Sequence, residues 1–109
     1  MGLKDRLFEK VAVPILNRTV LAPYGEAREL RLNSSDKSAE IVVALKGEEV
    51  PVRITVGRYE VSEVGHDTFV TVHEIDTSRE WMTALAERNV VGKPFRLPRE
   101  FAGPLSRIV

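Results

Sequence analysis

A run of alternating apolar residues reads consistently on both sides of one turn and leaves this chain few ways to fold. Ala39, Ile41, Val43 and Leu45 occupy every second position, and so do Val50, Val52, Ile54 and Val56. Successive side chains of a strand point to opposite faces, so each set belongs to one face. Lys46-Gly47-Glu48-Glu49 separates them as a turn. Folding about it sets Leu45 against Val50, Val43 against Val52, Ile41 against Ile54 and Ala39 against Val56. Every pair is apolar, so both strands offer the same face to a core, and a slip of one residue would turn that face to water.

The pattern extends both ways. Leu30 and Leu32 alternate with Glu29 and Arg31 as a short first strand beginning near residue 28. Across the polar loop Asn33–Ser38, Leu32 faces Ala39, Leu30 faces Ile41 and Arg31 faces Glu40. After Val56 the apolar positions become odd-numbered, at Tyr59 and Val61, and Gly57 stands at the change. That combination predicts a β-bulge. Gly65-His66 suits a two-residue hairpin turn with glycine first, as in type II′. It pairs Val61 with Val70 and Tyr59 with Val72, and gives a fourth strand over about 67–75.

Helices are expected at both ends. Over residues 3–12, with Ile15 beyond, Leu3, Leu7, Phe8 and Val11 form an apolar face opposite Asp5, Arg6 and Glu9. Pro14 should kink the segment or start a second short helix, and Pro23-Tyr24-Gly25 should end it. Asp76 and Thr77 open the last helix, where Thr77 and Glu80 have capping-box spacing. Trp81, Met82 and Leu85 form its expected buried stripe, and Gly92 and Pro94 stop it. Phe95–Pro98 reads as a short extended piece. The fold expected is α+β: a four-stranded antiparallel β-meander with N-terminal and C-terminal helices packed on one face, in the order α-β-β-β-β-α. Residues 1–98 form the domain, and 99–109 a loosely docked tail.

With 109 residues, 43% of them hydrophobic and 29% charged, the chain is the size of one domain and able to bury its own core. It has no cysteine, which excludes disulfides, thiol catalysis and cysteine-ligated metal. No apolar run approaches the ~20 residues that cross a bilayer. Asp5, Arg6, Glu9 and Lys10 interrupt the opening segment, so it does not read as a signal peptide; a cytoplasmic location is expected. Net charge is zero, against the basic surface that nucleic acid requires. The charge is uneven. Residues 1–28 hold five basic and three acidic groups, 29–76 five and ten, and 77–109 six and three.

Catalytic patterns are missing. His73-Glu74 begins like a zinc-protease motif, but position 77 is Thr. The two histidines, His66 and His73, fall about 20 Å apart along the fourth strand. Asp76, Thr77 and Ser78 read as helix capping, the glycines are scattered, and Glu48-Glu49 lies in a solvated turn. No metal or cofactor is expected. The reading that remains is a non-catalytic binding or assembly module. Its candidate surface is the outer sheet face carrying Arg31, Glu40, Arg53, Thr55, Phe69, Thr71 and His73. A protein partner or self-association would use this face or the fourth-strand edge, which is less defended than the first. The alternative is a lipid or apolar-ligand binding protein at a membrane surface. There the N-terminal helix would carry Leu3, Leu7 and Phe8 beside Lys4, Arg6 and Lys10, with Asp5 and Glu9 counting against it. The helices would lift to open a groove lined by Val43, Val52, Ile54, Leu7 and Trp81. The C-terminal cations Lys93, Arg96, Arg99 and Arg107 read as solvated.

Overall fold

The computed structural model describes residues 3–97. Helix α1 (Leu3–Leu16) continues into a π-helical turn (Asn17–Leu21). Strands β1 (Gly25–Asn33), β2 (Ser38–Leu45), β3 (Val52–Val64) and β4 (Asp67–Thr77) follow, then helix α2 (Glu80–Asn89) and strand β5 (Pro94–Arg96). The strands form one antiparallel meander in chain order. The α+β class is as expected, with five strands where four are predicted. The extended piece after α2 pairs with β4, setting Phe95 against Val70, and so covers part of the edge that looked undefended. The predicted tail, 99–109, lies outside the described residues.

Register follows the apolar alternation. Leu32 faces Ala39, Leu30 faces Ile41, Ile41 faces Ile54 and Val43 faces Val52. Val50 does not join; it is exposed, because Pro51 lacks the N–H a ladder position needs and the turn widens to meet it. Gly65 has φ +63° while His66 has no positive φ, as a type II′ turn requires. The register slips at Gly57 on β3 and again at His73 on β4. Each strand carries one extra residue at the same place, so both change parity together and the apolar pairs Val56–Ile75 and Tyr59–Val72 survive on either side. The sequence exposes only the first of these bulges. Glu74 folds over Gly57, where a Cβ would lie 2.9 Å from its carboxylate.

The main core forms where Phe8, Ala12 and Ile15 of α1 meet Leu30, Leu32, Val56 and Tyr59 of the sheet. A second buried row crosses the sheet as Ala27, Val43 and Val52. Helix α1 is rotated from its expected orientation. Leu3, Leu7 and Val11 are exposed, and Asp5, Phe8, Ala12 and Ile15 are buried. The cause is the open edge of β1. Asp5 accepts the N–H and hydroxyl of Ser34 at 3.0 and 2.6 Å. Glu9 accepts the Leu32 N–H at 2.6 Å. Asn17 accepts the Ala27 N–H at 2.6 Å and donates to the Ala27 carbonyl at 3.2 Å. These side chains stand in for a sixth strand. Each leaves a backbone group satisfied that would cost about 1–3 kcal/mol if buried unpaired. That outweighs leaving part of the apolar stripe in water. Pro14 does not start a second helix. Its ring faces solvent, α1 runs through it, and the change of face falls at the π-helical turn, where i→i+5 bonding admits an extra residue.

Helix α2 also departs from expectation. It begins at Glu80, after the non-helical Arg79, and no capping box forms. Thr77 belongs to β4; its hydroxyl accepts the Arg79 N–H at 3.1 Å, and its own N–H donates to the Thr83 hydroxyl at 2.9 Å. None of the α2 residues is fully buried, and Trp81 and Leu85 are 56% and 51% exposed. Of the expected buried stripe, Trp81 and Leu85 are turned outward and Met82 is half-buried.

Tyr59 gives this core a pH signature. It is 5% exposed, its ring lies 5.9 Å from the Lys37 ammonium, and its N–H donates to the Lys37 carbonyl at 2.9 Å. Burial, and secondarily the negative charge of Asp5, push its phenol from 10.0 up to about 12. The folded state thus disfavours the phenolate. The resulting stability is complete below pH 10 and is lost as pH rises through about 12. In Tyr24→Phe, where the exposed tyrosine is silenced, phenolate absorbance should appear only near the upper value, and denaturant stability should decline across the same window. A midpoint near 10 with flat stability would mean that the ring is solvated.

Candidate functional site

The outer sheet face does not assemble into one site. Arg31 stands opposite Glu40, and Glu40 opposite Thr55. Glu40 is bonded by the Arg53 guanidinium, so this pair of charges is already engaged, whereas Arg31, at the edge of the sheet, also borders a cleft beside α1. Phe69, Thr71 and His73 lie on β4, where Thr71 faces Glu60 and Phe69 faces Ser62. The paired bulges separate the two groups. His73 is the inserted residue. Its Nε2 lies 3.1 Å from a Glu60 oxygen, yet misaligned, so this buried nitrogen has no hydrogen-bond partner. Among the described residues no three His, Asp or Glu side chains gather closely enough to hold a metal ion.

The stronger candidate is the outward side of α1. On a 3.6-residue wheel its solvent-facing arc spans about 160°. In order around that arc stand Arg6, Lys10, Leu3, Pro14, Leu7, Val11 and Lys4. Leu3 is 75% exposed, Leu7 55% and Val11 43%. The apolar residues take the middle and the cations both margins. Asp5 and Glu9, the acids of this helix, are drawn inward to the edge of β1. The outward arc thus carries no acid; Asp5 is buried, and Glu9, half-buried, stays beside Arg6 and Lys10 at the edge facing β1. Helix α2 offers a contrast, since its exposed Trp81 and Leu85 share the surface with Glu80, Glu87 and Arg88, charges of both signs.

Among the described residues, two hollows border α1. One is an open cleft of about 550 Å³ between α1 and β1, with Arg6, Lys10, Arg28 and Arg31 on its walls beside Glu9 and Glu29. The other lies beneath the helix and measures about 150 Å³. Phe8, Leu16, Leu32, Tyr59, Val70 and Leu97 contribute to its apolar lining. Small-molecule pockets usually enclose roughly 300–1,000 Å³, so the inner space is a packing gap and the cleft is of ligand size. Of the residues expected to line a groove under lifted helices, Leu7 and Trp81 face solvent and Val43 and Val52 are buried. No helix among the described residues is long and apolar enough to cross a membrane.

The inward turn of Asp5 and Glu9 departs from the expected helix face, which sets Asp5 and Glu9 opposite the buried side. Their spacing with Phe8, Ala12 and Ile15 was a usable signal, since 5, 8, 9, 12 and 15 share one side of a helix. Nothing local reveals that the partners are backbone N–H groups of a strand more than twenty residues away. No protein-family model, curated protein or solved structure matches this chain.

Proposed function

We propose that this protein is a non-catalytic binding module that docks on an anionic membrane surface through the outward side of α1. The observation that carries this reading is the exposed arc of Leu3, Leu7 and Val11 bordered by Lys4, Arg6 and Lys10, with both acids turned inward. A helix of this kind lies in the interfacial plane with its apolar side among the headgroups and its lysines and arginines reaching toward lipid phosphate. Each cation contributes about 1 kcal/mol near an anionic leaflet. A few such residues and three half-exposed aliphatic side chains support reversible binding.

Co-sedimentation with vesicles tests it. The protein should bind phosphatidylcholine vesicles carrying phosphatidylglycerol, release them as salt is raised, and ignore pure phosphatidylcholine. Leu7→Glu should weaken binding by more than about tenfold with an unchanged circular dichroism spectrum. Equal binding by Leu7→Glu, or indifference to lipid charge, would refute the reading. A dimer in solution that Leu7→Glu dissociates, with no vesicle binding, would make this surface a protein interface instead.

A further inference from the structure

The cleft between α1 and β1 adds a specificity that the membrane reading, on which this inference rests, does not require. Arg6 and Lys10 border the apolar arc of α1 and also line the cleft, so the cleft opens at the margin of the docking surface. Across it stand Arg28 and Arg31 of β1. The β1–β2 register slips between Ala27 and Glu29, leaving Arg28 without a cross-strand partner. Bulges of this kind re-aim a side chain that a regular strand would hold in line. Arg28 keeps only a loose contact with Glu26, at 3.9 Å between largely exposed groups. Of the two acids on the walls, Glu9 is committed to the Leu32 N–H. Accepting a neutral N–H leaves Glu9 its charge, so four cations face two carboxylates, Glu9 and Glu29, and the cleft keeps an excess of positive charge.

That arrangement suits an anion of more than one charge. A phosphomonoester carries between one and two negative charges near neutral pH and three terminal oxygens, which match the forked donors of several arginines. A phosphodiester offers a single charge. We propose that the cleft receives the phosphomonoester headgroup of an anionic lipid while Leu3, Leu7 and Val11 enter the adjoining acyl boundary.

The test compares phosphatidylcholine vesicles containing phosphatidic acid with others containing phosphatidylglycerol, matched for surface charge. Binding to phosphatidic acid should be at least about fivefold tighter, since charge-assisted arginine–phosphate bonds are among the stronger polar contacts. The double variant Arg28→Ala, Arg31→Ala should erase that preference, lowering phosphatidic acid binding more than phosphatidylglycerol binding, with circular dichroism confirming its fold. Leu7→Glu should weaken both. Equal binding of the two vesicles by the native protein would overturn the cleft assignment and leave the membrane reading standing, as would an equal loss on both vesicles in the arginine variant. Failure to bind either vesicle would remove both proposals. Thermal stabilisation by inorganic phosphate in a protein that ignores the vesicles would assign the cleft to a soluble phosphate and refute the lipid site.

Discussion

Replacing Phe8 with glutamate should unfold the protein, while Leu7→Glu, one residue earlier, should leave its stability within about 0.5 kcal/mol. Phe8 is 6% exposed and belongs to the main core with Ala12, Ile15, Leu32 and Tyr59. Truncating a buried phenylalanine alone costs about 3–5 kcal/mol. A carboxylate in its place must also ionise in an apolar site or hold a proton at neutral pH. Together these approach the total stability of a domain of this size, roughly 5–15 kcal/mol. Leu7 stands 55% exposed on the opposite flank and gives up little. The pair measures the rotation of α1 directly. Loss of fold in Leu7→Glu as well as in Phe8→Glu would restore the orientation read from hydrophobicity and undo both membrane proposals. Trp81, half in solvent, is a poor reporter of this core, so far-UV circular dichroism through a thermal melt is the measurement.

Gly25→Ala should destabilise by about 3 kcal/mol, a large value for adding one methyl group. At the start of β1, a Cβ on Gly25 would lie 2.0 Å from the Ala44 carbonyl oxygen and 2.9 Å from the Leu45 Cα, both backbone atoms. Its φ of +157° also disfavours an L side chain. Backbone cannot yield as a side chain tip does. The strand end must separate, taking with it the Gly25–Leu45 and Glu26–Ala44 pairs and the bond from the Lys46 N–H to the Tyr24 carbonyl. Gly47 supplies the control. Its φ is +87°, but a Cβ added there would meet no atom within 4 Å, so Gly47→Ala should cost only the conformational term of about 1 kcal/mol. Chemical denaturation of the two variants separates collision from dihedral strain, and equal losses would mean that the β1–β2 end is not closely packed.

The sheet was legible because its information is local and redundant. Apolar alternation over 39–45 and 50–56, a glycine at the parity change, and Gly65-His66 at the turn each point to the same register, and that register forms. The second bulge, at His73, was hidden because its only trace is a compensating shift on the partner strand. The capping box failed for a related reason. Thr77 has the right spacing to Glu80, but β4 extends far enough to place Thr77 opposite Ile54 and uses it as strand.

The candidate surface moved for a reason that only assembly supplies. Hydrophobicity alone turns Leu3, Leu7 and Val11 inward, because a helix read in isolation has no other way to choose its buried side. The folded chain weighs that preference against unpaired N–H groups along β1, and Asp5, Glu9 and Asn17 answer them. The α+β order, the strand pairing and the absence of cysteine chemistry were all readable from the residues, because each depends on neighbours in the chain or directly across a turn. Which side of α1 meets water was settled only on folding, since that choice depends on hydrogen-bond partners at the far edge of a sheet. With it came the all-basic margin of the exposed leucines and the cleft beside them.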